Sequence, residues 1–226
     1  MNLGELRASL REMLNDVAEP QLWPDDTLNR YLNNAVREAC IRARLLKDDA
    51  DSLPTLCQLN FDAGQTRIKH AKEILVVRSG AIDGQCGQLW AMTAESLDRR
   101  EPGWDSSGEI GPPRYVVMDL AQKTLRLFPT PDVAGVLRLR VWRVPLDKEL
   151  MARNDAVPVI ALPDPEELRH WAAHEAYLVK DPDANDDRRS ANHLGLFEQR
   201  FGARPSLHEM ARWADSPPRV RHAHMF

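Results

Sequence analysis

Few residues of this 226-residue chain combine the types and spacing that reactive chemistry needs. His170 and His174 come nearest: His170-Trp171-Ala172-Ala173-His174-Glu175 puts two imidazoles on one helix face, where they could share a zinc ion. A hydrolytic zinc helix also needs a general-base glutamate directly after the first histidine. Here that position is Trp171, and spacing offers no third ligand. A metal-dependent hydrolase using His170 and His174 therefore stands only as an alternative, since a histidine on an amphipathic helix is more commonly a boundary or surface residue. Asp181-Pro182-Asp183-Ala184-Asn185 opens like a calcium loop, with oxygen donors at alternate positions. The glycine and glutamate that would complete it are Asp186 and Asn192, so the run reads as a helix–helix turn capped by Asp183 or Asn185. His222 and His224 form a chelator-like pair of a kind common in terminal segments. No nucleophile with its base, phosphate-cradling glycine loop or paired-carboxylate frame is recognisable, so neither catalysis nor a cofactor is expected.

Charge points the same way. Arg188-Arg189 and the set Arg138, Arg140 and Arg143 are small basic patches, but the net charge is −4. A broadly basic nucleic-acid binder would need a surplus of cations to release counterions. No apolar run approaches the length of a membrane span, and the first residues lack the charged and apolar regions of a signal peptide. Cys40, Cys57 and Cys86 are odd in number and widely spaced, which fits small apolar residues made in a reducing cytoplasm.

The elements that must position these residues change period twice. Leu3, Leu6, Leu10, Met13, Leu14 and Val17 form a helical stripe closed by Glu19-Pro20. A second helix starts at Trp23-Pro24-Asp25-Asp26 and buries Leu28, Leu32, Ala35, Val36 and Ala39. From Leu53 to Pro145 the pattern becomes short β-branched and aromatic runs between Gly and Pro punctuation. The run from Val136 to Val144 alternates, with Arg138 and Arg140 on one face and Leu137, Leu139 and Val141 on the other, as in an antiparallel sheet with one wet face. Helix returns after Asp164-Pro165 and again before Gly202. The expected fold is α+β. A helical bundle from residues 1–52 and 160–202 is interrupted by an antiparallel β-sandwich-like or curled insertion of five or six strands over 53–147. An extended C-terminal arm follows over 203–226. Trp104 is expected to anchor a long polar loop against the sheet. Long loops and arms carry contacts, which makes Trp104, Asp105, Ser106 and Pro112, with Arg204, Trp213, Arg219, Arg221 and Phe226, the candidate interface.

Four segments, in order, resemble the head-to-tail adaptor (connector) subunits of tailed bacteriophages. They are Leu22-Trp23-Pro24-Asp25-Asp26 with Leu28 and Tyr31 to Ala39; Gly111-Pro112-Pro113-Arg114-Tyr115; Leu127-Phe128-Pro129-Thr130-Pro131-Asp132 with Gly135; and Phe197-Glu198-Gln199-Arg200-Phe201-Gly202. The stretch after Pro205 matches nothing in that pattern. The resemblance implies a structural virion protein of the neck, made in the host cytoplasm: a homo-oligomeric ring of twelve copies under the portal protein. Such a ring docks tail or nozzle proteins and passes DNA through its lumen without sequence-specific binding or a membrane. Another tail or neck component is the alternative. On this reading the arm orders only against a neighbour or the portal, and acidic Asp48, Asp49 and Asp51 are channel-lining candidates or simply a solvated loop.

Overall fold

The computed structural model describes residues 1–121, 123–161, 163–179, 185–213 and 215. The chain divides into two compact units: Met1–Leu46 with Arg143–Pro205, and Lys47–Trp142 with Ser206–Phe226.

In the first unit, helix α1 (Leu3–Leu14) begins with a capping box, in which the Asn2 side chain accepts from the Glu5 amide and the Glu5 carboxylate accepts from the Asn2 amide. The apolar spacing continues to Val17, but the helix stops earlier. Asn15 takes the left-handed conformation (φ 58°) and returns its amide to the last turn, which leaves Val17 61% exposed. The turn is needed because it brings Asp16 inward. The Asp16 carboxylate is buried, pairs with Arg11 at 2.5 Å and accepts the Leu22 and Trp23 amides at 2.6 and 3.3 Å. Arg11 also donates to the Trp23 carbonyl and to Asp25. Helix α2 (Asp25–Ala43) follows, with Pro24 at the capping position rather than inside the first turn.

The later helices of this unit are α5 (Leu168–Tyr177) and α6 (Asp187–Phe201). A 3₁₀ turn, Pro165–Glu167, precedes α5, and Asp164 holds its cap position without a side-chain bond. Asp186, not Asp183 or Asn185, caps α6 by accepting the Arg189 amide at 2.9 Å. The calcium-like run over 181–184 lies outside the described residues. Leu6, Leu10, Leu28, Leu32, Ala35, Ala39, Leu168, Ala172, Ala176 and Phe197 belong to one buried core drawn from both ends of the chain. Arg42 crosses the same core. Its buried guanidinium pairs with Glu38 at 2.9 Å and Glu198 at 3.0 Å, donates to the Gly202 carbonyl, and lies over the Trp171 and Phe197 rings.

The second unit is built on one curled, open sheet. Its strands are β1 (Leu46–Asp49, whose first residue belongs to the helical unit), β2 (Gln58–Phe61, after the single helical turn α3, Pro54–Cys57), β3 (Arg67–Lys69), β4 (Ile74–Ile82), β5 (Leu89–Thr93), β6 (Tyr115–Ala121), β7 (Thr124–Phe128) and β8 (Gly135–Arg143). The order is β1-β8-β4-β5-β6-β7-β3, with β2 also on β8. These eight strands exceed the five or six expected because β1, β2 and β3 have only three or four residues each, too few to show a period. The sheet is also not wholly antiparallel. β5 and β6 run parallel, with Trp90 beside Tyr115 and Met92 beside Val117, because α4 (Ala94–Arg100) and the loop after it return the chain to the starting end.

On β8 the alternation is as read, with Leu137, Leu139 and Val141 buried and Arg140 exposed. Arg143 shares the parity of the leucines, so it is not part of a surface patch with Arg138 and Arg140. It is buried and clamped by Glu149 at 2.5 and 3.0 Å. Gly135 is required opposite Phe61, since a Cβ there would stand 2.9 Å from the ring. The segment expected as an arm contains helix α7 (Leu207–Arg212).

Replacing Arg42 with Met should lower stability to urea by about 3 kcal/mol, because the buried Glu38 would keep only the exposed Arg204 as a charged partner and Glu198 would lose its own. Adding Glu38→Gln should recover part of that loss. Equilibrium unfolding followed by circular dichroism measures both.

Candidate functional site

The loop between α4 and β6 is held at several points. Trp104 is buried, donates from Nε1 to Asp98 at 2.6 Å and meets Phe128 edge-on at 5.5 Å. Tyr115 stacks on the same Phe128 and donates to Glu101 at 2.5 Å. Burial, then that hydrogen bond, raises the Tyr115 hydroxyl above its ordinary pKa. Arg114 pairs with Glu101 and Glu109, and the Gly111 amide donates to the Thr130 carbonyl at 2.8 Å. Arg126 lies 4.5 Å over the Trp104 ring and pairs with Asp105. Asp105, Ser106 and Pro112 are exposed, whereas Trp104 is an anchor with almost no surface to offer. Ile110, a lone large aliphatic in this Gly- and Ser-rich loop, is 70% exposed and was not singled out from the sequence.

Of the C-terminal candidates, Arg204 is exposed and lies 3.6 Å from Glu38. Trp213 meets Trp142 edge-on at 6.3 Å, and its carbonyl accepts from Arg78 at 2.6 Å. Asp215 accepts the Thr93 amide at 2.7 Å and the Thr93 hydroxyl at 2.9 Å. This stretch therefore packs against β4 and β5 of its own chain and is not free to order only on a partner. Arg219, Arg221 and Phe226, with His222 and His224, lie outside the described residues.

A groove of about 810 Å³ opens in the β unit. Arg78 on β4, Arg99 and Arg100 on α4 and Arg140 on β8 line it together with Trp90 and Met92, which share one face of β5, and Asp215. Of its cations, sequence reasoning singled out only Arg140. The others come from elements distant in sequence, and only the adjacent pair Arg99-Arg100 was a local signal.

The two sequence-identified histidines do not converge on a shared centre. His170 Nδ1 lies 3.0 Å from His193 Nδ1, and the two rings stack, with Tyr177 stacked on His193 in turn. His174 instead meets the Ser190 hydroxyl at 2.8 Å. Among the described residues, no group of three or more His, Cys, Asp and Glu side chains could hold a metal. Burial pushes both imidazoles of the His170–His193 pair below the ordinary histidine value. Glu167 opposes this at His170 and Arg169 adds to it, while His170, Arg189 and His174 add to it at His193. Nearby Glu175 is shifted up by burial, against hydrogen bonds from Asn34 and Trp171.

Two outcomes follow for stability. Because the folded histidine pair resists protonation, its contribution is complete above the unfolded value of 6.5 and is lost as pH falls through the lower folded values. Glu175 has the opposite sign: its contribution is complete below 4.5 and is lost as pH rises through its raised value. From about pH 7.5 to about 5, the range in which histidine titrates, His170, His193 and the likewise lowered His70 together outweigh Glu175, so the melting temperature should drop as pH falls. His193→Gln should flatten that drop. Separately, Trp104→Ala should destabilise the β unit by about 3–5 kcal/mol through cavity formation, read by denaturant titration.

No curated protein matches the chain. The family model described as SU10 adaptor protein matches residues 1–221, and so includes most of the stretch after Pro205 that the sequence reading could not place. The chain belongs to the SU10 adaptor protein family, a family of phage head-to-tail adaptors.

Proposed function

We propose that this chain is a non-enzymatic structural subunit of the virion neck. Copies form a ring of twelve beneath the portal protein, extend the DNA channel and offer a docking surface to tail or nozzle proteins. The observation that carries the reading is the family match over nearly the whole chain. The architecture is in keeping with it: the conspicuous surface features among the described residues are a tethered loop and a basic groove. DNA passing through such a ring needs a lumen that does not grip it, and the net charge of −4 suits a protein without broad attraction for phosphates. In domain terms, the helices of residues 1–52 and 160–202 would pack side by side around the ring. The β insertion over 53–147 would project toward neighbouring subunits or the tail.

Mixing the purified chain with portal rings, then co-sedimentation and electron microscopy, tests the proposal. An added ring of density on one face of the portal is the expected result. No association with the portal would overturn it, and association with an isolated tail protein alone would favour the other neck or tail component.

A further inference from the structure

Two surfaces of this chain are complementary to each other. The first is the groove of the β unit. Its volume of about 810 Å³ lies within the range of built binding pockets, roughly 300–1,000 Å³. Arg78 is engaged by the Trp142 ring and the Trp213 carbonyl, and Arg99 by Glu95. Arg100 lies over Trp90 at 4.9 Å and is exposed, as is Arg140. Arg100 also meets the Tyr115 hydroxyl and Arg140 has Asp49 as a charged neighbour, but both stay exposed, while Trp90 and Met92, on one face of β5, supply an apolar floor.

The second surface is the α1–α2 loop of the helical unit. It displays Val17 at 61% and Leu22 at 42% exposure, two of the six large exposed hydrophobics among the described residues. Glu12, Glu19 and Asp26 flank them, exposed and without an ion pair among the described residues. The loop is also preorganised, because the buried Asp16 carboxylate holds the Leu22 and Trp23 amides and Arg11. A rigid loop loses little conformational freedom on docking.

We infer that the α1–α2 loop of one copy docks in the arginine groove of the next, with Val17 and Leu22 on the apolar floor and Glu19 and Asp26 opposite Arg100 and Arg140. The floor of Trp90 and Met92 and the exposed aliphatics of the loop argue for this occupant over a nucleic acid, whose phosphates would gain nothing from Met92. The contact is heterologous, so repetition closes a ring or runs on as a filament. It rests on the ring reading above and supplies that reading with a self-contact.

Charge reversal tests it in the full chain. Arg100→Glu with Arg140→Glu, or Glu19→Arg with Asp26→Arg, should each weaken self-association by about tenfold or more, as like charges then face each other. Mass photometry and sedimentation velocity read this, and circular dichroism confirms that each variant folds. Mixing the two variants should restore assembly, since each loop then meets a groove of opposite charge. Gln21→Cys should also be joined to Cys86 of a second copy by a bismaleimide, because Cys86 is exposed whereas Cys40 and Cys57 are buried. A wild-type ring that survives both reversals, with no cross-link, overturns the docking and leaves the ring reading intact. A wild-type chain that stays monomeric alone and with portal rings overturns both. Duplex DNA binding lost on groove reversal, with self-association untouched, would reassign the groove to nucleic acid.

Discussion

The helical unit is made from two stretches of chain separated by roughly a hundred residues, so its core can form only if the intervening segment leaves close to where it enters. Left as a flexible loop, that segment would cost roughly 4 kcal/mol to close, from the logarithmic dependence on length. The pairing of β1 with β8, the first and last strands of the sheet, removes most of this cost, because a folded β unit already holds its two ends side by side. Arg42 then ties the halves chemically: α2 supplies the cation and Glu38, and α6 supplies Glu198 and the Gly202 carbonyl. A guanidinium at such a point must have all its partners or none, since burying it half-satisfied would cost more than an apolar substitute.

The parts of this fold that were legible in the sequence are those set by local periodicity. The stripe of α1, the face of α2 and the parity of β8 follow from the repeat of each element, and the parity even carries the burial of Arg143 once it is counted along the strand. What was not legible depends on partners far along the chain. The end of α1 is fixed by Asp16 reaching the Leu22 and Trp23 amides, and an acidic residue after a helix gives no hint of that. The parallel pairing of β5 with β6 follows from where the α4 crossover delivers the chain, which alternation cannot encode. His170 finds its partner on another helix, so the i, i+4 spacing to His174 pointed to the wrong neighbour.

The candidate site shows the same division. Trp104 could be identified as an anchor because a lone tryptophan in a polar loop has little else to do than bury its ring. The arginine groove was invisible, being assembled from β4, α4 and β8 with no shared local pattern.

The two units also use arginine differently, and that difference bears on function. In the helical unit Arg11, Arg42 and Arg143 are buried and saturated by carboxylates and carbonyls, where they hold the fold in one arrangement. In the β unit Arg78, Arg100 and Arg126 lie across the faces of Trp142, Trp90 and Trp104. Stacking on a ring holds the guanidinium plane in place, while its in-plane N–H groups remain able to meet an oxygen at the edge. Ordered cations over aromatic rings are a common composition for the energetic centre of protein contacts, and they lose less side-chain entropy on docking than free lysines would. The helical unit thus uses buried arginines as internal ties, whereas the β unit lays several of its arginines on aromatic faces while also pairing Arg114, Arg126 and Arg138 with carboxylates of its own.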